Sequence, residues 1–399
     1  MIAEILKSEI KGEIKAPPSK SMAHRYLIFS ALREEEIEID GLDLSEDISA
    51  TIDCLSALGV KIDFCDGRAR VSGRIGRPTE TLKCRESGST LRFMLPLCLS
   101  VGGEATLIGA ERLMSRPLEY YSRLCEMNGF DFRQAGNSVT VSGRLESGEY
   151  EADISVSSQF VTGMIFALLN LGKDSKIRLV GKPESLSYID LTLSAARDFG
   201  FGARFVDENT IFLSGKRGEV KKSYSIEGDY SNAAFFEALN YIGGNVRISG
   251  LLDTSHQGDK IYKEYFRAIN DGTPTLSLAD CPDLGPILFA LAAEKNGAVF
   301  TDTKRLKIKE SDRAEAMKSE LLKLGASVTV EENRVIVDKA ELHSPAELLC
   351  GHNDHRVVMS LAVLATKYGG KIDDAAAVRK SMPDFWDKLI NIGAKVSFA

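Results

Sequence analysis

Leu324-Gly325-Ala326-Ser327-Val328-Thr329-Val330-Glu331-Glu332-Asn333-Arg334-Val335-Ile336-Val337 is the stretch that decides the fold. A helical pattern stops at an apolar residue followed by glycine, the residue that most readily takes a left-handed conformation at a helix C-terminus. Two short apolar–polar alternations then flank Glu332-Asn333, which is a hairpin signal. The same grammar recurs along the chain. Leu58-Gly59 leads to Val60-Lys61-Ile62-Asp63-Phe64, a turn at Asp66-Gly67 and a return as Arg70-Val71-Ser72. Asn128-Gly129 leads to Phe130-Asp131-Phe132, a turn at Gly136-Asn137 and Val139-Thr140-Val141. Phe199-Gly200 leads to Phe201 through Phe205, a turn near Glu208-Asn209 and Ile211-Phe212-Leu213. Ile392-Gly393 is followed by the single strand Lys395-Val396-Ser397-Phe398. Glycines 59, 129, 200, 325 and 393 stand 70, 71, 125 and 68 residues apart, and 125 is close to two intervals, so six units fill the chain.

Each unit also carries an earlier helix that is apolar nearly all round and is therefore expected to be buried. These helices open near Ser21, Gly88-Ser89, Ser157-Ser158, Asp229-Ser231, Asp283 and Asp354. The reading is an α/β protein of two similar lobes, each built from three helix–strand–helix–hairpin units. The break falls in the polar stretch Gly215 to Asp229, giving an N-terminal lobe over residues 19–227. The last unit has one strand where the others have two. Ile2 to Ile14 is expected to supply the missing strand, so residues 1–18 and 228–399 form the second lobe. The chain then crosses between lobes near Ala16–Pro18 and near Glu227–Asp229, a two-strand hinge beside a cleft of the kind that takes small molecules.

Composition narrows the function. The 399 residues contain 57 acidic and 50 basic side chains, net −7, which argues against a general nucleic-acid binder. Seven cysteines without a C-x-x-C pair, and five histidines at no metal-ligand spacing from them, point to reduced intracellular thiols. The start of the chain carries Glu4, Glu9 and Glu13, unlike a signal or transit peptide. No apolar run approaches the ~20 residues that span a bilayer. The expectation is a cytoplasmic monomer with no nucleic-acid or membrane partner. There is no G-x-x-x-x-G-K-[ST], no G-x-G-x-x-G after a strand and no nucleophile elbow, so neither a cofactor nor a metal is expected.

Basic residues crowd the helix starts. Lys20, Ser21 and Arg25 mark the first, Gly88-Ser89-Thr90 and Arg92 the second, and Ser157-Ser158-Gln159 the third. Arg116-Pro117, Lys309 to Arg313, Asn353 to Arg356 and Lys380-Ser381 mark others. A cation there opposes the helix dipole by a few tenths to ~1 kcal/mol. Several in one acidic chain imply shared counter-ions, namely ligands with multiple negative charges, for which helix N-termini and arginine forks are suited. Each position alone also fits a surface ion pair, and Arg313 beside Glu310 and Asp312 fits one well. Two acids stand among these cations. Asp283, before an apolar helix, fits an N-cap or an acid–base group, and Glu310 fits a first-turn acid or an acid–base group.

Pro18-Ser19-Lys20-Ser21-Met22-Ala23-His24-Arg25 and Glu86-Ser87-Gly88-Ser89-Thr90-Leu91-Arg92 resemble motifs of the 5-enolpyruvylshikimate-3-phosphate synthase (3-phosphoshikimate 1-carboxyvinyltransferase) family. So do Ser157-Ser158-Gln159, Pro282-Asp283, Lys309-Glu310-Ser311-Asp312-Arg313, Asn353-Asp354-His355-Arg356 and Lys380-Ser381-Met382-Pro383, in the family's order across residues 18–385. The resemblance implies the enolpyruvyl transferase fold. It also implies transfer of the carboxyvinyl group of phosphoenolpyruvate to the 5-hydroxyl of shikimate 3-phosphate, by addition to a tetrahedral ketal and elimination of phosphate. By the same resemblance, Ser21, Arg25, Ser157, Ser158 and Tyr188 hold shikimate 3-phosphate, and Gln159 and Lys20 touch both substrates. Gly88, Arg116, Arg313, Arg356 and Lys380 hold phosphoenolpyruvate, Lys309 is a further substrate-binding residue, Asp283 is the base for the 5-hydroxyl, and Glu310 donates a proton to the methylene. Inhibition by the phosphoenolpyruvate mimic glyphosate is implied as well. Glu86, Ser89 and Arg305 depart from the family's usual Asn, Thr and Asn.

Two other readings compete. The UDP-N-acetylglucosamine carboxyvinyltransferases of cell-wall synthesis share the fold but carry Lys-Asn at the first motif and a loop cysteine where Glu111 stands here. A non-catalytic scaffold of α/β repeats has no use for Lys20, Asp283, Glu310 and clustered arginines.

Overall fold

The computed structural model describes residues 1–155, 157–182 and 184–399. The chain divides into two compact units, one formed by Pro18–Glu227 and the other by Met1–Pro17 with Gly228–Ala399.

In the Pro18–Glu227 unit, three helices fill the centre: Lys20–Ala31, Gly88–Val101 and Ser158–Leu171. Each begins where a serine accepts a backbone N–H of the first turn. Ser19 takes that of Met22, Ser87 that of Thr90 and Ser157 that of Gln159. Such a cap contributes about 1 kcal/mol. Apolar residues on all sides bury the helices against one another, and one phenylalanine from each meets at the middle. The Phe29 and Phe166 rings lie 4.8 Å apart and Phe93 and Phe166 5.4 Å apart, both edge-on. Truncating a buried phenylalanine of this kind costs about 3–5 kcal/mol.

Around these helices lie three four-stranded sheets with one plan. A parallel pair at one edge is followed by two antiparallel neighbours, the last two strands being the hairpin. In the clearest case Glu149–Asp153 runs parallel to Ser175–Val180, which pairs antiparallel with Thr210–Arg217, itself the hairpin partner of Phe201–Phe205. The first sheet takes its edge strand, Ser223–Ser225, from the far end of the unit. Glycine is required where helix Leu186–Asp198 gives way to the third hairpin. Gly200 has φ +73°, and a Cβ there would stand 2.5 Å from the Glu219 carbonyl oxygen.

The other unit repeats the plan around helices Tyr230–Tyr241, Gly285–Glu294 and His355–Tyr368. One sheet is complete: Thr275–Ser277 parallel to Ala298–Thr301, then Arg334–Val337 and Val328–Val330. The chain's own beginning joins the other two, which have three strands and two. Ala3–Leu6 lies between Gly370–Ile372 and Lys395–Phe398, antiparallel to both, in the place of the missing hairpin strand. Lys11–Lys15 pairs in parallel with Asn245–Ser249. Among the described residues no helix is long and apolar enough to cross a membrane.

Candidate active site

In the Pro18–Glu227 unit the cations lie at the helix starts, as the sequence places them. Arg25 is buried in the second turn of its helix. Its Nε donates to Thr192 Oγ1 at 2.9 Å, Nη1 to the Ser21 carbonyl at 2.7 Å and Nη2 to the Tyr188 carbonyl at 3.0 Å. Burial lowers its pKa to about 10, which leaves it charged at neutral pH. Lys20 Nζ pairs with Asp47 at 2.7 Å. His24 is held neutral by burial and by Lys20 and Arg25; its Nδ1 meets Thr51 Oγ1 at 2.8 Å.

Arg92 owes its position to a proline. Pro96 has no N–H to offer the Arg92 carbonyl one turn earlier. The Tyr121 hydroxyl donates to that carbonyl instead, at 2.5 Å. Gly163 of the neighbouring helix lets the two backbones close there, since a Cβ would lie 2.5 Å from the Arg92 oxygen and 2.7 Å from the Tyr121 hydroxyl. Thus fixed, Arg92 Nη1 donates to Gln159 Oε1 at 2.7 Å, and Gln159 Nε2 donates to Ser89 Oγ at 3.0 Å. Gly88 adjoins the same group: a Cβ on it would meet Arg116 Nη1 at 2.8 Å and Arg92 Nη1 at 3.5 Å. Ser157 and Ser158 are buried at the start of the third helix, and Ser157 is its cap. One group in this unit therefore contains Lys20, Ser21, Arg25 and Tyr188, and another contains Gly88, Arg92, Arg116 and Gln159.

In the other unit the cations are bound to carboxylates. Asp283 lies in the turn Pro282–Leu284, ahead of helix Gly285–Glu294, and does not cap it. Its Oδ1 accepts from Lys309 Nζ at 3.1 Å and from Arg313 Nη1 at 2.8 Å, and its Oδ2 accepts from Arg356 Nη2 at 2.9 Å. Arg313 is 1% exposed. It also donates to Glu310 Oε2 at 2.6 Å and to Asp354 Oδ2 at 2.9 Å. Burial alone would weaken its hold on its proton, but Asp354, Glu310 and Asp283 more than offset this and keep it charged. Lys309 shows the opposite balance: burial, aided by Arg313 and Arg305, lowers its pKa against the pull of Asp283.

Asp354 is fully buried and has three tasks. It caps helix His355–Tyr368 through the Arg356 N–H at 2.9 Å, holds Arg313, and accepts from Ser311 Oγ at 3.0 Å. The loop leading to it is strained, with φ +51° at His352 and +48° at Asn353. Asp373 and Asp374 hold the Gly351 and Asn353 N–H groups, and Lys380 Nζ donates to the Asn353 carbonyl at 2.6 Å. The side chains of Cys350, Asp373 and Asp374 are close enough together for a metal ion. Both carboxylates there accept backbone N–H bonds that support this loop.

The unit thus gathers Asp283, Lys309, Glu310, Arg313 and Arg356 into one ion network, with Lys380 on the adjoining loop. Local spacing within Lys309 to Arg313 suggested an ion pair for Arg313. The structure adds Asp283, thirty positions earlier, and Asp354, forty-one later. Nothing in the sequence marks Asp47, Thr192 and Asp354 as partners of the site residues. Asp47 shares the first turn of helix Glu46–Ala57 with Glu46, and nothing in the pattern separates a Lys20 partner from an ordinary first-turn acid.

The chain is similar to known proteins. The family model described as EPSP synthase (3-phosphoshikimate 1-carboxyvinyltransferase) matches residues 6–389. Proteins called 3-phosphoshikimate 1-carboxyvinyltransferase from Clostridium novyi and Clostridium beijerinckii are 35% and 36% identical to it, over 98% of this chain and 97% of each of theirs. Among solved structures, EPSP synthase from Acinetobacter baumannii has a TM-score of 0.79 at 21% identity, covering both chains in full. The enolpyruvyl transferase NikO from Streptomyces tendae has a TM-score of 0.74 at 15% identity, covering 99% of this chain and 98% of its own. These two likenesses establish the fold.

Proposed function

The chain belongs to the EPSP synthase family, and from that premise we propose how its residues move the carboxyvinyl group of phosphoenolpyruvate to the 5-hydroxyl of 3-phosphoshikimate, releasing phosphate. Arg25 supplies a buried charge whose hydrogen bonds all go to neutral oxygens, which suits it to a phosphate or carboxylate. With Ser21, Ser157, Ser158 and Tyr188 it holds 3-phosphoshikimate. Gln159, bonded to Arg92 and to Ser89, touches both substrates. Lys20 also reaches both and stabilises charge at the reacting oxygen. Gly88, Arg116, Lys309, Arg313, Arg356 and Lys380 hold phosphoenolpyruvate.

The observation that carries this reading is Asp283, a carboxylate accepting from three cations at once. An arriving anion competes for Lys309, Arg313 and Arg356 and frees the Asp283 oxygens to take the proton of the 5-hydroxyl. That oxygen then bonds to C2 of phosphoenolpyruvate while Glu310, one bond from Arg313, delivers a proton to the methylene. The tetrahedral ketal returns a methyl proton to the Glu310 carboxylate and expels phosphate, which carries away the proton that Asp283 took, so that the double bond is restored and both carboxyl groups regain their starting states. Positioned proton transfer of this kind typically contributes about 10²–10⁴-fold, and fixing both substrates raises their effective concentration. We also take the working form to be a monomer in the cytoplasm.

The test is phosphate release from phosphoenolpyruvate by the purified chain. Release with 3-phosphoshikimate and none with UDP-N-acetylglucosamine supports the reading. The opposite preference, or no release with either, refutes it.

A further inference from the structure

We infer that Asp374 is a positioning residue for the reaction: its carboxylate fixes the Asn353 backbone, whose carbonyl seats the Lys380 ammonium, and so sets where that charge meets an anionic substrate. The inference rests on the reading of Lys380 as a phosphoenolpyruvate-binding residue.

The backbone points to it first. His352 and Asn353 are consecutive non-glycine residues in the left-handed region, with φ +51° and +48°. That conformation is unfavourable for a residue with a Cβ and persists where the surroundings over-determine it. Here they do. Each N–H from Cys350 to Asn353 has an acceptor. Glu320 Oε2 takes that of Cys350 at 2.7 Å, Asp373 Oδ1 that of Gly351 at 2.6 Å, Cys350 Sγ that of His352 at 3.4 Å and Asp374 Oδ2 that of Asn353 at 2.8 Å. Gly351 lets the two segments close on each other, since a Cβ on it would stand 2.6 Å from the Asp373 carbonyl oxygen and 2.9 Å from the Asp374 Cβ.

Asn353 is where the two segments meet. Asp374 immediately precedes the 3-10 helix Ala375–Lys380, and Lys380 is its last residue. The Asp374 carboxylate accepts the Asn353 N–H, and Lys380 Nζ donates to the Asn353 carbonyl at 2.6 Å. One short turn thus grips a single residue at both its donor and its acceptor. The next residue along is Asp354, which caps the helix of Arg356 and holds Arg313. A carbonyl fixed in this way holds one of the three ammonium protons of Lys380 in a set direction. Lys380 is buried and Asp374 is exposed, so core packing does not explain Asp374. Without its carboxylate the Asn353 peptide can leave the left-handed region and turn the carbonyl away from Lys380.

The experiment is steady-state kinetics of the full chain for wild type, Asp374→Gly, Asp374→Asn and Lys380→Ala. Asp374 itself has φ +49°, which glycine and asparagine both tolerate, so neither variant adds backbone strain. Glycine removes the acceptor. Asparagine removes the charge and keeps an amide oxygen for the Asn353 N–H. Asp374→Gly should raise the KM for phosphoenolpyruvate about tenfold and leave that for 3-phosphoshikimate within about twofold. Asp374→Asn should keep both within about twofold of wild type. If Asp374→Gly does not fold, Asp374→Ser, whose hydroxyl falls one bond short of the N–H, takes its place with the same expectation. An unchanged KM for phosphoenolpyruvate, a rise in both KM values alike, or an asparagine variant as impaired as the glycine one would overturn the inference. A wild-type chain without turnover, or Lys380→Ala with an unchanged KM for phosphoenolpyruvate, refutes the assigned reaction or the role of Lys380 instead, so the failures are distinct.

Discussion

Arg25 and Arg313 are both buried guanidiniums with three or more hydrogen bonds, yet they are held by opposite means. Arg25 donates to a threonine hydroxyl and two backbone carbonyls, none of them charged. Arg313 donates to the carboxylates of Asp283, Glu310 and Asp354. Neutral acceptors orient a cation and leave its charge for a ligand. Carboxylates neutralise it and are held in place by it. One unit thus presents a cation that attracts, and the other an ion network that can exchange partners and protons.

The largest expected effect is on the network. Asp283→Ala should lower kcat by about 10²–10⁴-fold with a much smaller change in KM. A change confined to KM would make Asp283 a binding residue and erase the contrast with Arg25. Lys20→Met should abolish turnover while the chain still melts cooperatively, because it removes a charge and little core area.

Stability sharpens the comparison next. Arg313→Gln strands Asp354 in the interior without its ion partner, a loss of about 3–5 kcal/mol. Arg25→Gln removes hydrogen bonds to neutral oxygens, about 1 kcal/mol in net terms. Chemical denaturation of the two variants should rank them in that order, and equal losses would contradict it.

Much of this was legible in the sequence, for a physical reason. Helix ends marked by glycine and hairpins marked by alternation are local signals, so the repeat emerged from residues no more than a dozen apart. Counting strands leaves the last unit one short and points to Ile2 to Ile14, within which Ala3–Leu6 forms. The partners of the site residues were not legible. Arg25 finds Thr192 at a separation of 167 residues, and Arg313 finds Asp354 at 41. Asp354 reads as a helix cap, which it is, and its second task leaves no local trace. Asp283 fitted a cap equally well until the turn Pro282–Leu284 removed it from that position.

A smaller effect concerns the loop before Asp354. Glu320 is buried and accepts from Lys323, His352 and the Cys350 N–H. Burial alone would raise its pKa, but these bonds bring it down to about 2. Its folded pKa thus lies below its unfolded one. The stabilisation is complete above about pH 4.5 and is lost as pH falls toward about 2. Glu320→Gln should cost on the order of 2 kcal/mol at neutral pH and progressively less in acid. A penalty independent of pH would mean that Glu320 acts by shape alone.

The division between the two units is tested most directly by calorimetric binding of 3-phosphoshikimate alone to the full chain. Arg25→Ala should weaken binding by about 10- to 100-fold, and Arg356→Ala should leave it within about twofold. Strong dependence on Arg356 with indifference to Arg25 would contradict the account.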